Sequence, residues 1–419
     1  MIDIDLLVLG TSEVTTPTGS AARLGSDLAR VQVTEGGAVA INAGRVLAVG
    51  SERDLLARYS PKSTLDAGGG TVLPGFIDAH THPVFAGTRE REFEQRMAGA
   101  SYVEIAQAGG GIASSLEGVR GADLEQLTLL LLGRADRFLA AGTTTLEAKT
   151  GYGLTLQDEL RGLEAISAAD RAHPVDLVPT CLAAHAYPPE FSQDRAGYED
   201  LLVREVWPEV ARQGIARYAD VFTEAHVFDL EASRRVMGAA AEAGLALRMH
   251  VDQLTPLGGA ELAAELGARS ADHLEHVSPK GAEALARAGV VATLSPLVPL
   301  YLRESQEAPA RQLVEAGVAV ALSTDFNPGS CYCLSLFEVC SWSALRYGFS
   351  AAEALTAVTL NAAASLDLEH DRGTLEPGKR ADLLVTDLPS HLHLTYELGR
   401  SPVRAVVKDG RQVYPQPVG

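Results

Sequence analysis

The sequence predicts an α/β protein: a (β/α)8 TIM barrel with a small composite β-sandwich domain built from both chain ends. Three observations predict it. In residues 73–83, LPGFIDAHTHP, an apolar run closes on His80 and His82 and is stopped by Pro83, as a buried parallel strand would be. The middle of the chain alternates such runs with Ala/Leu/Glu-rich helical stretches, the mark of βα units. Both ends instead carry short strands separated by turn residues. The expected division is 1–70 with 366–419 for the sandwich and 71–365 for the barrel.

At the start, strands are expected at 6–9, 39–41 and 45–49, with Gly36-Gly37 and 68–70 as punctuation. At the end, 381–386, 403–408 and 412–414 are strand-like, and Asp409-Gly410 signals a hairpin turn. Two β-rich ends around an α/β middle imply that the termini meet in one domain. Between them, candidate strands end at His80/His82, 147–150, His185, Glu224/His226, His250, His273, Leu294/Ser295 and Asp325. Helices are expected at 123–141, 156–172, 231–243, 259–266 and 279–288. In a TIM barrel, polar residues at the carboxyl ends of the strands converge on one mouth.

The totals narrow the function. At 46% hydrophobic and 21% charged, 419 residues can bury a large core. A net charge of −19 argues against nucleic acid or an anionic membrane as partner. Apolar runs such as 129–132 and 318–322 are too short to span a bilayer. The opening MIDIDLLVLG has neither the basic start nor the cleavage site of a secretion signal. The four cysteines form no CxxC pair, so a reducing, cytoplasmic compartment is expected. Cys331 and Cys333 are read as buried thiols rather than a second metal site. Oligomeric state is not encoded legibly; a homodimer is the assembly allowed for.

Side chains at i and i+2 of a strand share a face, so His80 and His82 leave the strand end together and can close on one metal ion. His250 and Asp325 end later strands. Each has a bland reading, a satisfied core histidine or a buried carboxylate with some other partner. Together the four offer three imidazoles and a carboxylate, a donor set suited to one Zn²⁺ or Fe ion per subunit. His185 and His273 face the same mouth and could polarise a carbonyl or shuttle a proton beside Asp325. Glu224 and His226 are left outside the ligand set. Lys149 is on the second strand, not the fourth, so a metal-bridging lysine is not expected and the site is read as mononuclear.

HTHPVFAGTRE (80–90), EAKTGYGL (147–154), LAAHAYP (182–188), HVDQLTPLGGAELAAELGA (250–268), SADHLEH (270–276) and STDFNPGS (323–330) resemble the imidazolonepropionases of the amidohydrolase superfamily. The likeness spans most of the barrel and includes loops as well as metal positions. It implies hydrolysis of the cyclic amide C–N bond of 4-imidazolone-5-propanoate to N-formimidoyl-L-glutamate by metal-activated water, a step of histidine degradation. It puts His80, His82, His250 and Asp325 on the metal. It also implies a small-molecule partner held by Arg89 through its carboxylate, with Tyr102, Tyr152, His185, Gln253, Asn327, Gly329 and Ser330 around the rest. His185 would polarise the ring carbonyl, while His273 and Asp325 move protons. Gln253 stands where related deaminases carry a proton-moving Glu; an amide can position a ring but cannot act as a base. The alternative of a deaminase, which would release ammonia, is disfavoured on that ground.

Overall fold

The computed structural model describes residues 1–101, 104–105 and 109–415. Eight parallel strands form the barrel sheet: β1 (Phe76–Asp78), β2 (Thr143–Lys149), β3 (Asp176–Ala184), β4 (Tyr218–Thr223), β5 (Ala246–Val251), β6 (Ser270–His273), β7 (Val291–Leu294) and β8 (Val320–Leu322). Neighbours pair in chain order. The seam between β8 and β1 is closed beyond the strands, by a parallel bridge of Thr81 with Phe326. The backbone bonds His82 N–H to Phe326 O (2.8 Å) and Asp325 N–H to His80 O (3.1 Å) complete it.

The expected helices form where their caps stand. Leu156–Ala172 begins at Thr155, whose side chain accepts from Asp158 N–H. Pro279–Ala288 has Ser278 as cap and proline in its first turn, and stops at Gly289. Leu124–Ala140 starts in a full capping box of Asp123 and Gln126. Their apolar faces cover the barrel, whose continuous core includes Phe138, Ile166, Trp207 and Val236.

Both ends of the chain meet in a six-stranded sheet with the order Arg411–Tyr414, Val403–Lys408, Leu383–Thr386, Thr71–Pro74, Glu13–Pro17, Val31–Glu35. A second sheet of four strands, Arg45–Ser51, Gly37–Asn42, Ile2–Leu9 and Tyr59–Asp66, comes from the start of the chain alone. Val14, Val39, Ile41, Val72, Leu383 and Val407 share one buried cluster that draws on both sheets. The far face of the four-stranded sheet is covered by helix Glu52–Arg58 through Leu55.

Residues 73–83 do not form a single strand. Thr71–Pro74 pairs with Leu383–Thr386 in the six-stranded sheet, and the chain enters the barrel at Gly75. A Cβ there would lie 2.5 Å from Thr144 Oγ1 and 2.6 Å from its Cγ2, so only glycine lets the chain pass so close to β2. Thr144 is branched at Cβ and cannot swing aside. We expect Gly75→Ala to destabilise the protein by about 1–3 kcal/mol, as overpacked sites do, read as a lowered thermal midpoint. An unchanged midpoint would show that this crossing is slack.

Candidate active site

His80 and His82 lie just past the end of β1, on the stretch whose backbone zips to residues 325–326 beyond β8. His250 is on β5, and all four side chains His80, His82, His250 and Asp325 are buried at the mouth. The Nε2 atoms of His80 and His82 are 3.1 Å apart, and those of His250 and His82 3.3 Å. Asp325 Oδ1 lies 3.2 Å from His82 Nε2 and 3.5 Å from His80 Nε2. Three stretches far apart in sequence therefore bring nitrogen and oxygen atoms into one cluster.

The opposite ring nitrogens explain what those atoms are. His80 Nδ1 bonds Asp272 Oδ2 at 2.7 Å, and His250 Nδ1 bonds Asp220 Oδ1 at 3.1 Å. An ionised carboxylate only accepts, so each Nδ1 carries a proton, and in its neutral form each ring presents an Nε2 lone pair. Lone pairs crowded against one another and against a carboxylate repel unless a cation lies among them. Burial lowers the pKa of His82 and of His250, favouring the neutral, ligating form. At His80 burial and the Lys149 charge push the same way, but the carboxylates of Asp272 and Asp325 outweigh them and raise it to about 9, so an ion there would displace a proton. Asp325 is pushed up by burial, but the His80 and His82 rings beside its carboxylate outweigh this and hold it well below the usual carboxylate range. Donors of ~2.0–2.2 Å metal reach would sit at such separations around one ion. The residues fit one divalent metal.

His273 ends β6 with φ +80°, followed by Leu274 at +69°. These left-handed residues bend the chain out of strand alternation. As a result both Asp272 and His273 face the centre, although neighbours on a regular strand would face opposite ways. The His273 ring lies 5.2 Å from the rings of His80 and His250, and His80, His273 and Asp325 also come within ligating range. Its Nδ1 has Glu275 Oε1 at 3.8 Å, too far for a hydrogen bond.

One pocket opens over this cluster, lined by His82, Arg89, Tyr152, His185, Gln253 and His273, with Asn327 and Ser330 on its rim. His185 stacks on His82 at 5.3 Å and 18°. Its Nδ1 lies 2.9 Å from the carbonyl of Gly151, so that nitrogen donates and Nε2 is left as an acceptor. Burial, with His82 alongside, brings its pKa down to about 3. A neutral ring in this tautomer accepts a proton or an N–H; it has no N–H to offer a carbonyl oxygen. The donor role expected for His185 therefore conflicts with its hydrogen bond to Gly151.

Arg89 is buried, not at the surface, and its Nε and Nη2 donate to Glu92 Oε2 at 2.9 and 2.7 Å. Glu92 in turn accepts from Ser114 Oγ at 2.6 Å and Gly111 N–H at 3.2 Å. The guanidinium rests against Gly329, where a Cβ would come within 2.1 Å of Nη1. Arg96 holds that glycine through its carbonyl, 2.6 Å from Nη2. Asn327 bonds the carbonyl of Asp325 and Ser330 Oγ through its NH₂, and accepts from the N–H groups of Gly329 and Ser330. Its amide thus shapes the loop that carries Gly329 and Ser330.

Gln253 sits between two anchored neighbours. Asp252 accepts from the N–H groups of Leu257, Gly258, Gly259 and Ala260, and Glu224 from those of Leu254 and Thr255. Glu224 is therefore a loop anchor, while His226 is exposed outside the central pocket. Tyr102 lies outside the described residues. Cys331 is buried and its carbonyl accepts from Asn327 N–H; none of the four cysteines is in a disulfide. Sequence reasoning missed Asp220, Asp272 and Glu92. A lone aspartate inside an apolar strand, as in YADVFT, was the available signal for the first.

Stripping divalent metal with a chelator should lower the thermal midpoint, and adding zinc back should restore it. At free ion ~100-fold above Kd the gain is about 2.7 kcal/mol. Identical midpoints would mean that no ion is held among these residues.

The comparisons agree with this geometry. Residues 71–413 match the model of the Amidohydrolase family. The chain is 44% identical to the imidazolonepropionase of Symbiobacterium thermophilum over 417 residues, covering 99% of this chain and 98% of that protein. It is 45% identical to that of Myxococcus xanthus, with 97% of each covered. Among solved structures, E. coli guanine deaminase superposes with a TM-score of 0.76 at 18% identity, over 97% of this chain and 99% of that one. An adenosine deaminase from Xanthomonas campestris with bound zinc gives 0.69 at 20% identity, over 98% and 93%. Those two share the fold. The long, full-length identity assigns more: the chain belongs to the imidazolonepropionase family of amidohydrolases.

Proposed function

We propose that this chain hydrolyses the ring amide C–N bond of 4-imidazolone-5-propanoate, giving N-formimidoyl-L-glutamate in histidine degradation. The observation that carries the reading is a single pocket with a metal-type donor cluster at its floor and a buried, braced arginine in its wall. Family membership over the full length supports it. His80, His82, His250 and Asp325 would hold one Zn²⁺ or Fe ion per subunit. Such an ion supplies a Lewis acid and lowers the pKa of water in its open position toward ~7.

The residues of this chain do the rest. Arg89 takes the propionate carboxylate, its planar head preset by Glu92 and seated on Gly329. Ser330 and Tyr152 border the substrate, and Gln253 positions the ring by its amide. His185 accepts a ring N–H at Nε2, the role its tautomer allows. Asp325 and His273 carry the proton from the attacking water to the departing ring nitrogen. Ile112, Phe222 and Leu302 supply apolar wall to the pocket. The four free cysteines support a cytoplasmic setting. Among the described residues, no helix is long and apolar enough to cross a membrane.

The decisive assay follows loss of ultraviolet absorbance of fresh 4-imidazolone-5-propanoate with metal-replete protein. Formimidoylglutamate without ammonia is expected. Ammonia release would favour a deaminase, and no turnover with metal bound would overturn the substrate assignment. Arg89→Gln should raise KM about 10–150-fold, the worth of a charge-assisted hydrogen bond, with a smaller change in kcat. A parental KM would remove Arg89 from the carboxylate. His273→Ala should lower kcat about 10²–10⁴-fold, and unaltered turnover would take it out of proton transfer.

A further inference from the structure

Beneath the pocket, the inside of the barrel is charged. Glu147, Lys149, Asp220, Arg248 and Asp272 are each fully buried there. TIM barrel interiors are ordinarily filled by layers of branched apolar side chains. A buried ionic cluster is weak as a stabiliser, since well-packed apolar residues of like volume commonly do as well or better. Its geometry suggests another use.

Lys149 Nζ lies 2.6 Å from Asp220 Oδ2 and 2.8 Å from Glu147 Oε2. The other oxygen of Asp220 receives His250 Nδ1–H at 3.1 Å. Arg248 Nη2 donates to the carbonyl of Ala79 at 2.8 Å, next to His80, and lies 3.4 Å from Asp272 Oδ2. That same oxygen receives His80 Nδ1–H at 2.7 Å. Arg248 Nε is 2.8 Å from Glu147 Oε1, and Thr180 Oγ1 donates to that oxygen, so Glu147 ties the two cations together. Two chains of contact result, each running from a buried cation through an aspartate to one imidazole, with Lys149 Nζ also 3.8 Å from Asp272 Oδ2. Among the described residues, His82 has no such brace and its Nδ1 has no hydrogen-bond partner. Lys149, placed in this way, is occupied by carboxylates behind the donor cluster.

We propose that Lys149 and Arg248 are positioning residues of the metal centre, Lys149 fixing Asp220 against His250 and Arg248 fixing Asp272 and the Ala79 carbonyl against His80, so that both rings meet the ion through Nε2. Carboxylate partners of ligating histidines typically govern 10–100-fold in metal affinity. Here the control passes one residue deeper, to the cations that aim the carboxylates. The inference rests on the metal reading of the four-residue cluster.

The test uses Lys149→Met and Arg248→Met in the full chain, with zinc alone as probe and a competing chelator to read affinity. Each variant is expected to bind zinc about 10–100-fold more weakly than the parent. The difference between zinc-loaded and metal-free thermal midpoints should shrink, whereas a merely structural loss would lower both together. Parental zinc affinity in either folded variant overturns that residue's role. If neither variant folds, histidine-selective ¹⁵N NMR of zinc-loaded parent decides. Zinc on Nε2 with a hydrogen-bonded Nδ1–H in both His80 and His250 is expected, and Nδ1 ligation of either ring overturns the proposal. A parent protein that binds no zinc would instead remove the metal reading itself.

Discussion

Three imidazole nitrogens and a carboxylate oxygen crowd together at the mouth of the barrel, with His80 and His82 Nε2 only 3.1 Å apart. Left to themselves these electron-rich atoms repel, and side chains of this size have rotamers that would separate them. They stay together because two of the rings, and the backbones that carry the rest, are held in place. His80 and His250 are bonded through Nδ1 to buried aspartates, and the backbones at 80–82 and 325–326 are zipped to each other across the barrel seam. The seam is thus a joint between ligands as well as a closure of the fold.

The loops around the cluster follow the same rule. Several pocket side chains are presented by segments tied to a buried carboxylate or amide. Asp252 and Glu224 fix the stretch on both sides of Gln253, Asn327 fixes its own turn, and Glu92 joins Arg89 to Gly111 and Ser114. A loop organised in this way costs little further entropy when substrate arrives, which favours tight orientation at the reacting bond. Left-handed backbone at Asp252, His273 and Asp325 marks the strand ends where the chain turns sharply inward.

Much of this was legible in the chain. Helices such as Leu156–Ala172 and Pro279–Ala288 declare their starts through Thr155 and Ser278, because capping is a local interaction. The HxH pair and the isolated histidines at strand ends declare the cluster because strand alternation is local too. What was not legible depends on contacts distant in sequence. The transfer of the chain from sandwich to barrel at Gly75 depends on Thr144, and the two faces of Asp272-His273 depend on a left-handed residue that no period predicts. The tautomer of His185 depends on the carbonyl of Gly151, 34 positions away. The seat of Arg89 depends on Gly329, from the far end of the barrel sequence, against which its guanidinium rests.

The six-stranded sheet has a temporal consequence. Thr71–Pro74 lies between Glu13–Pro17 on one side and Leu383–Thr386 on the other. During synthesis the first partner is already present, whereas the second emerges only after the whole barrel sequence has been made. At ~5–20 residues per second, translation of that intervening stretch takes tens of seconds, far longer than barrel helices need to form. Until then the strand that leads directly into His80 and His82 has one open edge. A segment made only after the barrel is therefore the one that pairs with the strand leading into the first two metal-type donors.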